Sequence, residues 1–329
     1  MLSSITKRLA VVSSVLVIAF GMIAPAAAQQ GNSGGSGLSI SPTRYDLQVN
    51  PGESQDIKIT LKNISGTSIV AKSFINDFTS DNATGQPQII TNTSVFSPQS
   101  IRNFQSGLAD VPLAKDASMT ETINFSVPKS AAPGAYYGII RYAAVRGDLS
   151  TSAGNDVSLT ASVGVVVLLT VPGNIKEQIQ VNRVAVYKDT VTNNSSSFYI
   201  SQPGAVGIDV KNLGNGFAQP FGNVTVSNMF GKQDYSYQLN SSTPRGVVLP
   251  NASRTFKDSI HNIKIPGRYT VTANVSYGNG GEVLISTTHF WYLPVWLIVL
   301  LVIILAVLIA VGYILYRRLS RRPAKLRRK

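Results

Sequence analysis

The stretch Pro266-Gly267-Arg268-Tyr269-Thr270-Val271-Thr272-Ala273-Asn274-Val275 decides how the fold is read. After the Pro-Gly turn, apolar and polar residues alternate with a period of two. An extended backbone sends successive side chains to opposite sides, so this pattern is a strand with one face in a core and the other in water. Ile57-Lys58-Ile59-Thr60-Leu61 and Thr122-Ile123-Asn124-Phe125-Ser126-Val127 repeat it. Thr, Val, Ile and Tyr fill such runs, and Gly, Pro and Asn punctuate them. No sustained helical period appears before residue 290. The expectation is an all-β exterior of short-stranded sandwiches. Val163-Gly164-Val165-Val166-Val167-Leu168-Leu169-Thr170-Val171 is apolar without alternation. It is too short to cross a bilayer and is closed by Pro172-Gly173, so it reads as a central strand buried on both faces.

An internal repeat divides the exterior. Leu61-Lys62-Asn63-Ile64 precedes Pro133-Gly134-Ala135-Tyr136, and Val210-Lys211-Asn212-Leu213 precedes Pro266-Gly267-Arg268-Tyr269. The Asn-to-Pro spacing is 70 residues in the first copy and 54 in the second. The excess is assigned to the turn-rich segment around Phe78–Phe104. Two tandem immunoglobulin-like β-sandwiches are expected, over residues 38–172 and 173–289. Tyr136 and Tyr269 are the candidate corner residues, their rings buried and their hydroxyls bonded to backbone.

The two ends fix a topology. The run from Phe290 to Tyr316 carries no charge and is expected to be a transmembrane helix, since about 20 apolar residues cross a bilayer core of roughly 30 Å. Trp291, Tyr292 and Trp296 on one side and Tyr313 and Tyr316 on the other suit the interface. Arg317, Arg318, Arg321 and Arg322 open a tail, residues 317–329, with eight basic side chains. By the positive-inside rule this tail is cytoplasmic and the bulk of the chain extracytoplasmic. Contact of the tail with anionic lipid is expected. Residues 1–28 read as a signal peptide, with Lys7 and Arg8 before an apolar run and Ala26 and Ala28 at the cleavage positions. Residues 29–37 are a flexible Gly/Ser leader. The net charge of +13 is therefore mostly topological: the tail holds eight of these charges and the signal peptide two, so nucleic acid is not an expected partner.

Chemistry is sparse. There are no cysteines, which removes disulfides, thiolate catalysis and cysteine-containing zinc sites. The two histidines, His261 and His289, have no catalytic context, and the sixteen acidic residues form no clustered pair among aromatics. Asp77-Phe78-Thr79-Ser80-Asp81-Asn82 reads as a turn held by its own side chains rather than a calcium loop. No catalytic, cofactor-binding or metal-binding residue is assigned, and a non-enzymatic protein without cofactors is expected.

The layout resembles the WxL-interacting surface proteins of Gram-positive bacteria. In the first sandwich the resemblance lies in Ser41-Pro42, Val49-Asn50-Pro51-Gly52-Glu53, Leu61-Lys62-Asn63, Asn76-Asp77-Phe78 and Pro133-Gly134-Ala135-Tyr136. In the second it lies in Val248-Leu249-Pro250-Asn251-Ala252-Ser253-Arg254-Thr255-Phe256 and Pro266-Gly267-Arg268-Tyr269. It implies a peptidoglycan-associated domain, a distal binding domain and a C-terminal membrane helix. Two functions are drawn from this. The first is a single-pass cell-surface scaffold that contacts cell-wall polymer, a partner surface protein or a host ligand. The alternative is a membrane-tethered assembly factor that, like the pilus chaperones whose general plan the first sandwich resembles, lends an edge strand to a client.

Overall fold

A computed structural model describes residues 37–92, 94, 96–146, 162–278 and 282–320. The expected signal peptide, nearly all of the leader, and Arg321 and Arg322 lie outside the described residues.

The first sandwich packs two sheets. One has the order β1 (Leu38–Ser41), β3 (Ser54–Asn63), β9 (Ser118–Ser126), β7 (Gln105–Ser106). The other runs β2 (Arg44–Gln48), β11 (Ser162–Val171), β10 (Gly134–Arg146), β4 (Ile69–Asn76), β8 (Val111–Leu113). The chain passes from one sheet to the other across Ser41–Pro42, a cis peptide. Alternation puts Ile57, Ile59 and Leu61 inside, against Ile140, Tyr142, Val165, Val167 and Leu169 of the facing sheet. A hairpin of β5 (Phe78–Ser80) and β6 (Pro87–Ile89) stands outside both sheets.

The second sandwich has a three-stranded sheet, β12 (Ile179–Tyr187), β14 (Ala205–Asn212), β17 (Ser253–Ser259). Its five-stranded partner is β13 (Phe198–Tyr199), β19 (Val283–Tyr292), β18 (Gly267–Ser276), β15 (Phe221–Asn228), β16 (Gln233–Leu239). The chain is thus an all-β pair of immunoglobulin-like sandwiches followed by one apolar helix.

The sequence repeat has a physical basis in each sandwich. Asn63 ends β3 and is fully buried; its Nδ2 donates to the Thr67, Leu113 and Ala114 carbonyls, and its Oδ1 accepts from Ser65 N and Oγ. Asn212 ends β14 in the same way, donating to Gly216 O and Val248 O and accepting from Gly214 N. Each amide pins a turn to a neighbouring segment, which an aliphatic side chain cannot do. The tyrosines repeat as well. Tyr136 Oη donates to Ala132 O at 3.0 Å and Tyr269 Oη to Ile265 O at 2.8 Å, each four residues upstream. Tyr269 is fully buried and stacks on Phe290 at 5.1 Å, whereas Tyr136 is only partly buried beside Phe104.

The charge-free run from Phe290 is not helical throughout. Phe290, Trp291 and Tyr292 close β19, in register with Tyr269, Arg268 and Gly267 of β18. Phe290 is fully buried in the sandwich core and Tyr292 packs against it. The helix α1 begins five residues later than the sequence reading and runs Val295–Ser320. The reason is local. Thr288-His289-Phe290-Trp291-Tyr292 continues the strand alternation, and Pro294 has no N–H to extend the ladder but suits the start of a helix. Trp296 stands in the first turn of α1, Tyr313 and Tyr316 near its end, and Arg317 and Arg318 in its last turn. Val295–Arg318 is long and apolar enough to cross a membrane.

Candidate binding site

The outer face of β10 and β11 is not open to water. Tyr137, Ile139, Val166 and Leu168 point away from the first core and meet Phe217, Val247 and Leu249 of the second sandwich. This is why the Val163–Val171 run lacks alternation: its odd-numbered residues fill the sandwich and two even-numbered ones fill the seam. One backbone and one side-chain hydrogen bond close the seam. Ala135 N donates to Asn215 O at 2.9 Å, and Asn215 Nδ2 to Pro133 O at 3.1 Å. A Cβ on Gly134 would sit 3.0 Å from Asn215 O, so the close approach needs glycine there.

The β5–β6 hairpin, part of the segment that makes the first repeat longer, reaches over the same seam. Asp81 holds its turn: Oδ1 accepts from Thr84 N at 2.7 Å and Ala83 N at 2.9 Å. These bonds, that from Thr84 foremost, lower the carboxyl pKa of Asp81. From the hairpin, Asn82 O accepts Thr255 N of β17 at 2.8 Å.

Between hairpin and seam lies a crevice of about 150 Å³. Its walls are mainly apolar, with Phe78, Val166, Leu168 and Leu249 among them, and two guanidinium groups enter it, Arg44 and Arg254. Arg44 opens β2 in register with Val166, so both project to the seam side. Its Nε donates to Asp46 Oδ1 at 2.9 Å, and Nη2 lies at 2.9 Å without hydrogen-bond alignment. Its Nη1 donates to Arg245 O at 3.2 Å. Arg254, on β17, gives Nη1 to Val247 O at 3.1 Å, while its Nε is buried without a partner. Burial, and then the charge of Arg44, lower the pKa of Arg254. One partly exposed acid, Asp46, thus accompanies two cations. An anionic group in this crevice would relieve the repulsion and supply acceptors for N–H groups that lack them.

A strand edge adjoins the crevice. β2 begins opposite Val166, so among the described residues Ser162–Val165 of β11 pair only with β10. An extended segment added there parallel to β11, in line with β2, would bring its carboxyl end to Arg44.

None of the candidate corner, interface or topology residues lines this crevice, although Phe78, Val166, Leu168, Leu249 and Arg254 stand in stretches quoted above for other reasons. Tyr136 and Tyr269 are at the corners, Trp291 and Tyr292 in β19, and Trp296, Tyr313, Tyr316, Arg317 and Arg318 on α1. Arg44 and Arg254 carried no signal of their own: each is one polar residue in an alternating strand, and only the docking of the two sandwiches joins them. His289 meets Thr270 Oγ1 at 3.0 Å, and His261 packs edge-on against Tyr235. Among the described residues no group of three or more His, Cys, Asp or Glu could hold a metal ion.

The class defined so far is a two-sandwich immunoglobulin-like protein with a cationic seam and one apolar C-terminal helix. No protein-family model and no curated protein matches it. Among solved structures it is similar to the class 5 fimbriae chaperone CfaA, at 15% identity and TM-score 0.37 over 76% of this chain and 98% of that one. It is similar to the Pseudomonas aeruginosa CupB2 chaperone, at 13% and 0.35 over 77% and 100%, and to the E. coli chaperone DraB, at 12% and 0.34 over 77% and 96%. Likeness at this level leaves what the chain does to its own geometry.

Proposed function

We propose that this chain is a membrane-anchored, extracytoplasmic protein-binding module of the assembly-factor type, which holds an extended client segment by its terminal carboxylate. One observation carries the reading: Arg44 and Arg254 converge on a largely apolar crevice with a single counter-acid and a buried, unpartnered Nε. The neighbouring β11 edge supplies backbone donors and acceptors for a client strand, and the crevice takes its end. The sandwich pair stands outside the cytoplasm, with Arg317 and Arg318 marking the cytoplasmic end of α1. The wall-polymer reading has less support. The open groove over β12, β14 and β17 has Tyr187 in its lining, but that ring is only 3% exposed and lies under Lys257 Nζ at 4.5 Å, so it offers no platform for a sugar.

The test uses the full chain in detergent and ten-residue peptides of alternating apolar and polar residues, each with a free carboxylate or a terminal amide. Charge-assisted hydrogen bonds of this kind are worth about 1.5–3 kcal/mol, so the acid should bind at least about tenfold tighter than the amide. Arg44→Ala and Arg254→Ala should each abolish the difference. Equal binding of acid and amide by the parent chain would remove the proposal.

A further inference from the structure

The two ends of the second sandwich differ. One meets the first sandwich through Phe217, Val247 and Leu249. At the other, Leu293 N donates to Tyr199 O at 2.8 Å and α1 starts at Val295. Strand register places a ring of exposed apolar side chains around this exit. Phe198 pairs with Trp291 across β13 and β19, and Arg268 with Trp291 across β18 and β19. Asn228 ends β15 opposite Tyr269, so the turn that follows it, with Met229 and Phe230, is at the same end. A Cβ on Gly267 would meet Met229 Cε at 2.8 Å, which confirms the neighbourhood. Met229 is 54% exposed, Phe230 75%, Trp291 47%, Phe198 48% and Ile265 39%. Three exposed basic residues, Lys232, Lys264 and Arg268, lie among them. Of the acids at this end, Asp234 is held by Asn228 Nδ2, which donates to both its oxygens at 3.1 Å, and Asp189 Oδ1 accepts from Val191 N at 2.9 Å and Thr192 N at 2.6 Å.

We infer that this end of the second sandwich is a lipid-docking surface, on which Met229, Phe230 and Ile265 enter the headgroup layer and Lys232, Lys264 and Arg268 meet anionic lipid. The occupant follows from the chain itself: only two residues, Leu293 and Pro294, separate β19 from the span, which puts the bilayer surface against this rim. Aromatic and aliphatic side chains flanked by basic ones partition into the interface, and the basic ones gain from anionic headgroups. The inference rests on α1 crossing the membrane and adds to it: the sandwich lies seated on the lipid rather than swinging on its tether.

The chain has only two tryptophans, so a single-tryptophan set is simple to make. In a Trp291→Phe, Trp296→Phe background, Phe230→Trp, Leu305→Trp and Phe96→Trp report the rim, the span and the first sandwich. All three positions are at least half exposed, so none of these changes tests the fold. The full chain is reconstituted in vesicles of phosphatidylcholine with phosphatidylglycerol, part of the lipid brominated at the headgroup end of the acyl chain in one set and near the chain terminus in another. Headgroup-end bromine should lower the fluorescence of Phe230→Trp by about half, and chain-terminus bromine that of Leu305→Trp, while Phe96→Trp stays unquenched by either. Adding Lys232→Glu, Lys264→Glu and Arg268→Glu should lower rim quenching in the anionic vesicles only. Quenching at residue 305 with none at 230 would overturn the docking surface and leave the span intact. Absence of quenching at 305 would overturn both.

Discussion

Asn63 and Asn212 occupy the same place in the two sandwiches, yet removing them should not cost the same. Asn63 makes five side-chain hydrogen bonds, only one of them in fully buried surroundings, to Leu113 O. Asn212 makes three, to Gly216 O, Val248 O and from Gly214 N, and all three are buried. A group stranded without water costs about 1–3 kcal/mol, whereas one that water can reach loses only about 0.5–1 kcal/mol. Asn212→Ala strands the Gly216 carbonyl and the Gly214 N–H, while Val248 O keeps its bond from Ala218 N, so about 4 kcal/mol is expected, roughly 2 kcal/mol for each stranded group. Asn63→Ala strands one carbonyl and should cost about 2–3 kcal/mol. The variant that loses fewer bonds should thus be the less stable one. A urea series followed by hydrogen-exchange mass spectrometry reads each sandwich from its own peptides. With a slope of about 2 kcal/mol per molar, the second sandwich of Asn212→Ala should unfold about 2 M earlier than the parent, and the first sandwich of Asn63→Ala about 1 M earlier. A larger shift for Asn63→Ala, or equal shifts, would refute the idea that burial and not bond number sets the cost.

Leu249→Ala should leave each sandwich's own unfolding nearly unchanged while the linker Pro172-Gly173-Asn174 becomes open to protease, because Leu249 sits in the seam and not in either core. Tyr269→Phe should destabilise the second sandwich by about 1 kcal/mol and Tyr136→Phe the first by less, since the Tyr136 hydroxyl bond is exposed; thermal melts compare them. Stability should fall as pH rises above about 10, the usual tyrosine value. Burial first, and then the charge of Asp234, push the Tyr269 hydroxyl up to about 12, and burial with Glu121 beside it raises Tyr142 as well. Between those pH values the unfolded chain gives up these protons and the folded chain keeps them, so unfolding is favoured. Titration by tyrosinate absorbance, with and without Tyr269→Phe, checks this: the variant should lose part of the alkaline slope of its second sandwich.

Much of the fold was legible because alternation reports directly on burial. Ile57-Lys58-Ile59-Thr60-Leu61 and Tyr269–Val275 are strands with one face inward, as their pattern requires. The Lys-Asn repeat was visible, but its meaning needed the partner carbonyls, which lie more than thirty residues away. The start of α1 was misplaced because lack of charge does not separate an apolar strand from a helix, and Phe290 is equally at home in either. The crevice was not legible. Arg44 and Arg254 stand 210 residues apart, in different sandwiches, and only the fold makes them neighbours.

The direct passage from β19 into α1 also has a mechanical consequence. In the proposed membrane-anchored state, a pull transmitted through α1 acts along the axis of β19, whose ten residues pair with β18 from Val283 to Tyr292. Such a load shears the ladder, so its rungs must yield together rather than one after another. Drag on the distal sandwich is therefore resisted at the root by the longest pairing in the proximal one.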